Sequence, residues 1–194
     1  AKSRTMEEIA EVLETGVPII GQNYIQEAIQ TRSQFGSDLN MHFIGHLQKN
    51  KINKAIEICD MIQTVDSLRL ARHIDKRCEP LKKIMPVLIE INSAEEPQKH
   101  GVLPDEVLVL IQQIALLKHI QIKGLMTMGP FRDNPEEIRP YFKVTKQLFD
   151  LFVSLKIPNV NMKILSMGMS DSYQIAIEEG ANMIRIGSAI FGKR

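Results

Sequence analysis

The stretch KILSMGMSDSYQIAIEEG, residues 163–180, opens as a buried strand at Ile164 and Leu165 and closes as a helix. Between them the chain turns small and polar at Ser166, Gly168, Ser170 and Asp171. A plain connector tolerates any turn residues. Hydroxyls and a glycine just ahead of a helix suit an anion, because the first backbone N–H groups of a helix lack partners within it and carry partial positive charge. The unit is strand, turn, helix, and the fold depends on whether it recurs.

Working outward, it recurs along the whole chain. Thr5 with Glu8 reads as a capping box ahead of a helix over 5–15. Short apolar runs at 17–20, 41–45, 61–65, 83–92, 120–128, 161–167 and 182–192 read as strands. Helical patterns fall between them at 23–34, 48–59, 67–78, 104–118, 134–155 and 170–180, the long one expected to kink near Pro140. Unbroken alternation implies parallel strands joined by helical crossovers, and the nearly all-apolar strands imply that both faces are covered. Two solutions compete, a doubly wound open sheet and a (β/α)8 barrel. The helix over 5–15 precedes the first visible strand and should have one of its own. Eight units would close a barrel where seven would leave an edge. With no GxGxxG after the first strand, the expectation is a TIM-type barrel seen without its first strand, Ala1–Lys2 being that strand's stub.

The 194 residues, 44% hydrophobic and 24% charged, suit one domain spanning 1–194. A net charge of +1 gives no field for nucleic acid or an anionic membrane. Lys49, Lys51 and Lys54 read as a solvated helix face. Cys59 and Cys78 are too far apart for a CxxC motif and read as reduced thiols. No apolar run reaches membrane length and AKSRTMEEI is no signal segment, so a cytoplasmic protein is expected.

In a barrel the site lies at the C-terminal strand ends. Period two puts Leu88, Glu90 and Asn92 on one face and Met183, Arg185 and Gly187 on another. An unpaired charge under the helices would be costly, so Glu90, Asn92 and Arg185 are expected to point inward. Arg185 then faces an anionic or hydrogen-bonding partner, with a structural Arg185–Glu90 pair as the alternative. The Gly/Ser turns after the last two strands, with Ser166, Gly168, Ser170, Gly187 and Ser188, converge on the usual phosphate position of such barrels. Lys2, at the mouth, is placed to form a Schiff base if desolvated, although a terminal lysine is by composition only a solvated charge. His42 and His46 straddle a strand end without a third ligand, so no metal site is expected. Met126, Met128, Met167 and Met169 read as packing at the mouth.

With those motifs in place, the sequence resembles the pyridoxal phosphate homeostasis protein family, single-domain relatives of the alanine racemase N-terminal barrel. The matching stretches are GQNYIQEA (21–28), HFIGHLQKNK (42–51), TVDS (64–67), IEIN (89–92), KHG (99–101), GLMTMG (124–129), LSMGMSDSYQIAIEEGA (165–181) and MIRIGSAIFG (183–192). The resemblance implies pyridoxal 5′-phosphate (PLP) held through a lysine aldimine at Lys2. It implies the phosphate on Ser166, Gly168, Gly187 and Ser188, Arg185 at the pyridine nitrogen, and Asn23 and His42 near the ring. Gln22 stands where the family usually carries Glu, which removes a charge beside Asn23. The implied role is to hold, buffer and pass on PLP, to PLP-dependent apoenzymes as recipients, by a monomer with no catalytic residue of its own. Two alternatives stay open: a minimal PLP-dependent amino-acid racemase, which would need a second acid–base group facing Lys2, for which Tyr24, Tyr141 and Tyr173 are poor candidates because they fall within or near helices, and a phosphate-binding barrel without the lysine linkage.

Overall fold

The capping box forms as the sequence dictates. Thr5 Oγ1 accepts from the Glu8 amide at 3.2 Å while the Glu8 carboxylate accepts from the Thr5 amide at 2.8 Å. The helix it starts, α1 (Met6–Glu14), buries Ile9 and Val12. Thr5→Ala is expected to cost about 1 kcal/mol and to lower the melting temperature by about 2–4 °C in a chain of this size, read by circular dichroism.

The computed structural model describes residues 1–192, so the last two residues of the expected 1–194 span lie outside the described residues. Seven strands follow α1: β1 (Ile20–Gln22), β2 (Met41–Phe43), β3 (Met61–Val65), β4 (Met85–Glu90), β5 (Ile120–Met126), β6 (Val160–Met169) and β7 (Met183–Arg185). Between and after them lie α2 (Ile25–Phe35), α3 (Ile52–Ile58), α4 (Leu68–Cys78), α5 (Val107–Ile114), α6 (Arg139–Leu155), α7 (Tyr173–Glu178) and α8 (Ser188–Phe191). The strands lie in sequence order, each parallel to the next. A doubly wound sheet would reverse its order part-way, and none is reversed here.

One hydrogen bond shows the sheet is rolled. Three inter-strand spacings, about 14 Å if flat, separate β3 from β6. Yet Ser166 Oγ of β6 donates to Gln63 Oε1 of β3 at 2.8 Å. The result is a nearly closed parallel barrel of TIM type with seven strands. β1 and β7 do not pair among the described residues. Residues 1–4 reach from β1 to the end of α8, the helix that follows β7: the Ala1 ammonium donates to Gly21 O at 2.6 Å, and Arg4 donates to Phe191 O at 2.9 Å and to Gly192 O. The Arg4 guanidinium also lies 5.3 Å from the centre of the Phe191 ring.

Packing divides into two apolar regions. The larger, between strands and helices, includes Ile9, Phe43, Ile89, Phe142 and Phe152. The smaller is Met61, Leu88 and Met126, with Met128 and Ile164 against it; these sit on the inward face and plug the barrel beneath its mouth. No helix among the described residues is long and apolar enough to cross a membrane.

Several boundaries differ from expectation. The first strand is 20–22 rather than 17–20, since Pro18 has no N–H to give a ladder. The run 182–192 pairs only over Met183–Arg185 and then coils into α8. The kink expected at Pro140 is instead a helix start: a 3₁₀ turn, Pro135–Ile138, leads into α6, and Pro140 occupies the first turn, where a missing N–H costs nothing. Both cysteines are buried and unpaired, and burial pushes the Cys59 thiol up to about 12 and Cys78 up to about 11, leaving neither reactive.

Candidate functional site

Above the methionine plug the barrel interior turns polar, and its side chains are linked. Arg185 Nη1 donates to Ser166 Oγ at 2.6 Å and Nη2 to Thr127 O at 2.8 Å. An arginine has only donors, so Ser166 must send its hydroxyl hydrogen onward to Gln63 Oε1. Gln63 Nε2 lies 2.9 Å from His42 Nδ1 and is itself a donor, so that nitrogen accepts and the imidazole keeps its hydrogen on Nε2. The chain Arg185→Ser166→Gln63→His42 thus has one direction. Burial lowers the His42 pKa to about 4, with the Asp60 carboxylate opposing, so the ring is neutral. Burial lowers Arg185 to about 10, with Glu90 opposing, so it stays charged at neutral pH.

Of the eight residues named from sequence, three therefore meet inside the barrel: His42, Ser166 and Arg185. Ser166 is fully buried beneath the rim; the hydroxyl that meets the last turn belongs to Ser170, which accepts from the Gly187 amide at 3.1 Å and the Ala189 amide at 3.2 Å. Gly168 has a packing reason to be glycine. Its φ is +91° and a Cβ would fall 2.5 Å from the Cβ of Ala176 on α7. Gly187 has none, since nothing lies within 4 Å of where its Cβ would be and its φ of −124° suits any residue. Open space therefore borders that backbone, next to the exposed Ser188.

Lys2 lies at the opposite end of the chain from this turn, and Arg4, two residues on, bonds the end of α8. The Lys2 ammonium sits over the face of the Tyr24 ring, 5.2 Å from its centre. Asn23, just past β1, borders a cavity of about 390 Å³ at the mouth, with Glu90, His46, His100, Met128 and Ser172. Glu90 points inward as expected. Burial, with the Asp66 carboxylate adding and Arg185 opposing, raises its pKa to about 7. Among the described residues no Arg185–Glu90 ion pair forms; Arg185 is spent on Ser166 and Thr127. Asn92 does not reach the site. It bonds the backbone of Glu96 through both amide atoms and organises its own loop. Gln22 turns away from Asn23 toward α2, donating to Thr31 Oγ1 at 2.8 Å.

Sequence reasoning missed Gln63 and Thr127. Gln63 carried a signal: it is the polar inward residue of MIQTV, two after Met61. Thr127 acts through its backbone oxygen, with its hydroxyl donating to Ile91 O and bonding Ser93, and nothing in the sequence marked it.

The chain thus combines a parallel barrel with a polar, arginine-based interior and a Gly/Ser turn after its last strand, and the family model described as alanine racemase, N-terminal domain, matches residues 1–194. Within it, the chain belongs to the pyridoxal phosphate homeostasis protein family. It is 37% identical to the pyridoxal phosphate homeostasis protein of Aquifex aeolicus over 195 residues, all of this chain and 85% of that protein. It is 42% identical to the protein of the same name from Helicobacter pylori, over 88% of this chain and 75% of that one. Among solved structures, PipY of Synechococcus elongatus superimposes with a TM-score of 0.91 without PLP, at 31% identity over 98% of this chain and 89% of PipY, and 0.88 with PLP bound, at 30% identity over the same shares.

Proposed function

We propose that this chain binds pyridoxal 5′-phosphate and holds it in reserve rather than turning over a substrate. We assign Lys2 Nζ to the cofactor's aldehyde carbon, Asn23 and His42 to its ring, and Arg185 to the pyridine nitrogen. The phosphate goes to Gly187 and Ser188, with Gly168 setting the path of the preceding turn and Ser166 holding Arg185 in place. The observation that supports this reading is the clasp between Arg4 and the end of α8, which ties the segment that carries Lys2 to the helix that opens at Ser188. The residues fit the group: the space beside Gly187 leaves room for phosphate oxygens at the backbone, and the inner residues offer donors.

Bound PLP supplies an aldehyde that reacts reversibly with amines and, when its ring nitrogen is protonated, an electron sink. Arg185 works against the second use. A guanidinium with a pKa of about 10 donates a hydrogen bond but takes no proton at neutral pH. Tyr24 presents its ring face to Lys2, which does not favour it as the second acid–base group a racemase requires. The relatives carry the name of a homeostasis protein rather than of an enzyme. We further infer one cofactor-binding unit over residues 1–194, monomeric and cytoplasmic, that yields PLP to PLP-dependent apoenzymes; the family model that runs over the whole of that span supports the single unit.

Borohydride reduction of the PLP-loaded protein, followed by peptide mass spectrometry, is expected to give a pyridoxyl adduct on Lys2. Lys2→Ala is expected to lose both adduct and visible absorbance. An adduct on another lysine, or one retained by the variant, defeats the assignment.

A further inference from the structure

Three side chains at the mouth are not used by the reading above: His46, Asp66 and His100. They come from the ends of three consecutive strands, His46 after β2, Asp66 after β3 and His100 from the loop after β4. Their ligand atoms all lie within 4.8 Å of one another. The two imidazoles stack 3.8 Å apart at 14°, and His100 Nδ1 lies 3.9 Å from an Asp66 carboxylate oxygen. Among the described residues, no hydrogen bond occupies a ring nitrogen of either histidine. His46 and His100 also line the cavity of about 390 Å³ into which Glu90 faces. Glu90 is only 7% exposed, and no described side chain bonds its carboxylate.

We propose that His46, Asp66 and His100 bind a divalent transition metal of the Zn²⁺ type at the barrel mouth. Two imidazoles and a carboxylate are the ligand types that ion takes, and three protein ligands leave a further position open. His46 and His100 both line the cavity, which gives that position access to a small ligand. The cations nearest the cavity are committed elsewhere: Lys99 pairs with Glu96 and donates to Gly129 O, and Arg132 approaches Glu96 at 3.9 Å. The mouth thus gathers two carboxylates, Asp66 and Glu90, whose mutual repulsion a divalent ion relieves.

The arrangement must tighten to bind. Tetrahedral zinc holds its ligand atoms about 3.4 Å apart, given bonds of about 2.1 Å, and parallel stacked rings cannot both aim at one ion. Both histidines are exposed, and rotation about the Cβ–Cγ bond of histidine is broad and cheap. Asp66 directly follows β3 and His46 comes three residues after β2, so turning the two rings is the main movement needed.

The test uses PLP-free protein stripped with a chelator, so its outcome is separate from that of the cofactor reading. Titration with Co²⁺ is expected to give one equivalent with the visible bands of a four- or five-coordinate ion, displaced by Zn²⁺. His46→Ala, His100→Ala and Asp66→Asn are each expected to weaken binding by at least about 10- to 100-fold, with circular dichroism unchanged. The proposal is overturned if the wild type shows no saturable binding below millimolar metal. Wild-type affinity in any one of the three variants also overturns the three-ligand site.

Discussion

Replacing Glu90 by glutamine is expected to raise the melting temperature at pH 8 by about 6–12 °C. Glu90 is buried and its pKa in the folded protein is raised, to about 7 against an ordinary 4.5. The folded state therefore keeps the proton longer than the unfolded chain does. The stability tied to that proton is complete below pH 4.5 and lost as pH climbs through 7. The gap, at about 1.36 kcal/mol per pH unit, comes to about 3 kcal/mol, or 2–4 °C for each kcal/mol in a chain of this length. Glutamine fills the same space without the charge. Near pH 4.5 variant and wild type should converge. His42 runs the other way: its lowered pKa of about 4 gives stability that is full above 6.5 and lost as pH falls through 4. In the wild type the two trends oppose each other over the intermediate range. Glu90→Gln should uncover the His42 trend, as a stability that falls steadily below pH 6.5. Thermal melts across pH decide this, and equal melting temperatures at pH 8 would refute it.

Arg185→Met should do the reverse. It leaves Ser166 Oγ and Thr127 O without their donor and removes the positive charge facing Glu90. Losing two charge-assisted hydrogen bonds and a buried countercharge costs roughly 3–5 kcal/mol. The melting temperature is expected to drop by about 6–20 °C. Because Arg185 holds the Glu90 pKa down, Glu90 is a heavier burden once Arg185 is gone. Glu90→Gln should therefore restore more stability in the Arg185→Met background than it adds to the wild type. Strict additivity in this double-mutant cycle would show that the two groups are not coupled. Arg185→Lys should fall between, keeping charge without the two-pronged geometry.

Much of the fold was legible because its signals are local. The strand Met61–Val65 and the helix Leu68–Cys78, opened by Ser67, fall where pattern and cap put them. Strands of three residues, such as β1, have too few positions for a period to show, so their limits drifted. Inward placement of Glu90 and Arg185 followed from period two and the cost of a stranded charge. The same reasoning applied to Gln63 would have found it. What no spacing rule supplies is which inward residues meet across the barrel: Gln63 and Ser166 are 103 positions apart and bonded. Lys2 stood out only through family resemblance; by itself it is a lysine near the chain's start. Asn92 was misplaced because it has a nearer partner, a loop backbone, that pattern alone does not reveal.

The fixed direction of the bonds from Arg185 to His42 has one more consequence. With Nδ1 occupied, the imidazole has only its far N–H to offer, so under the proposed assignment of His42 to the cofactor ring it can serve that ring only as a donor. A group presenting a lone pair to that N–H is matched and one presenting a hydrogen is not, down to the acidity at which the ring itself takes up a second proton. Nitrogen-15 NMR of His42 should accordingly find a single frozen tautomer where a solvent-exposed ring would report a mixture.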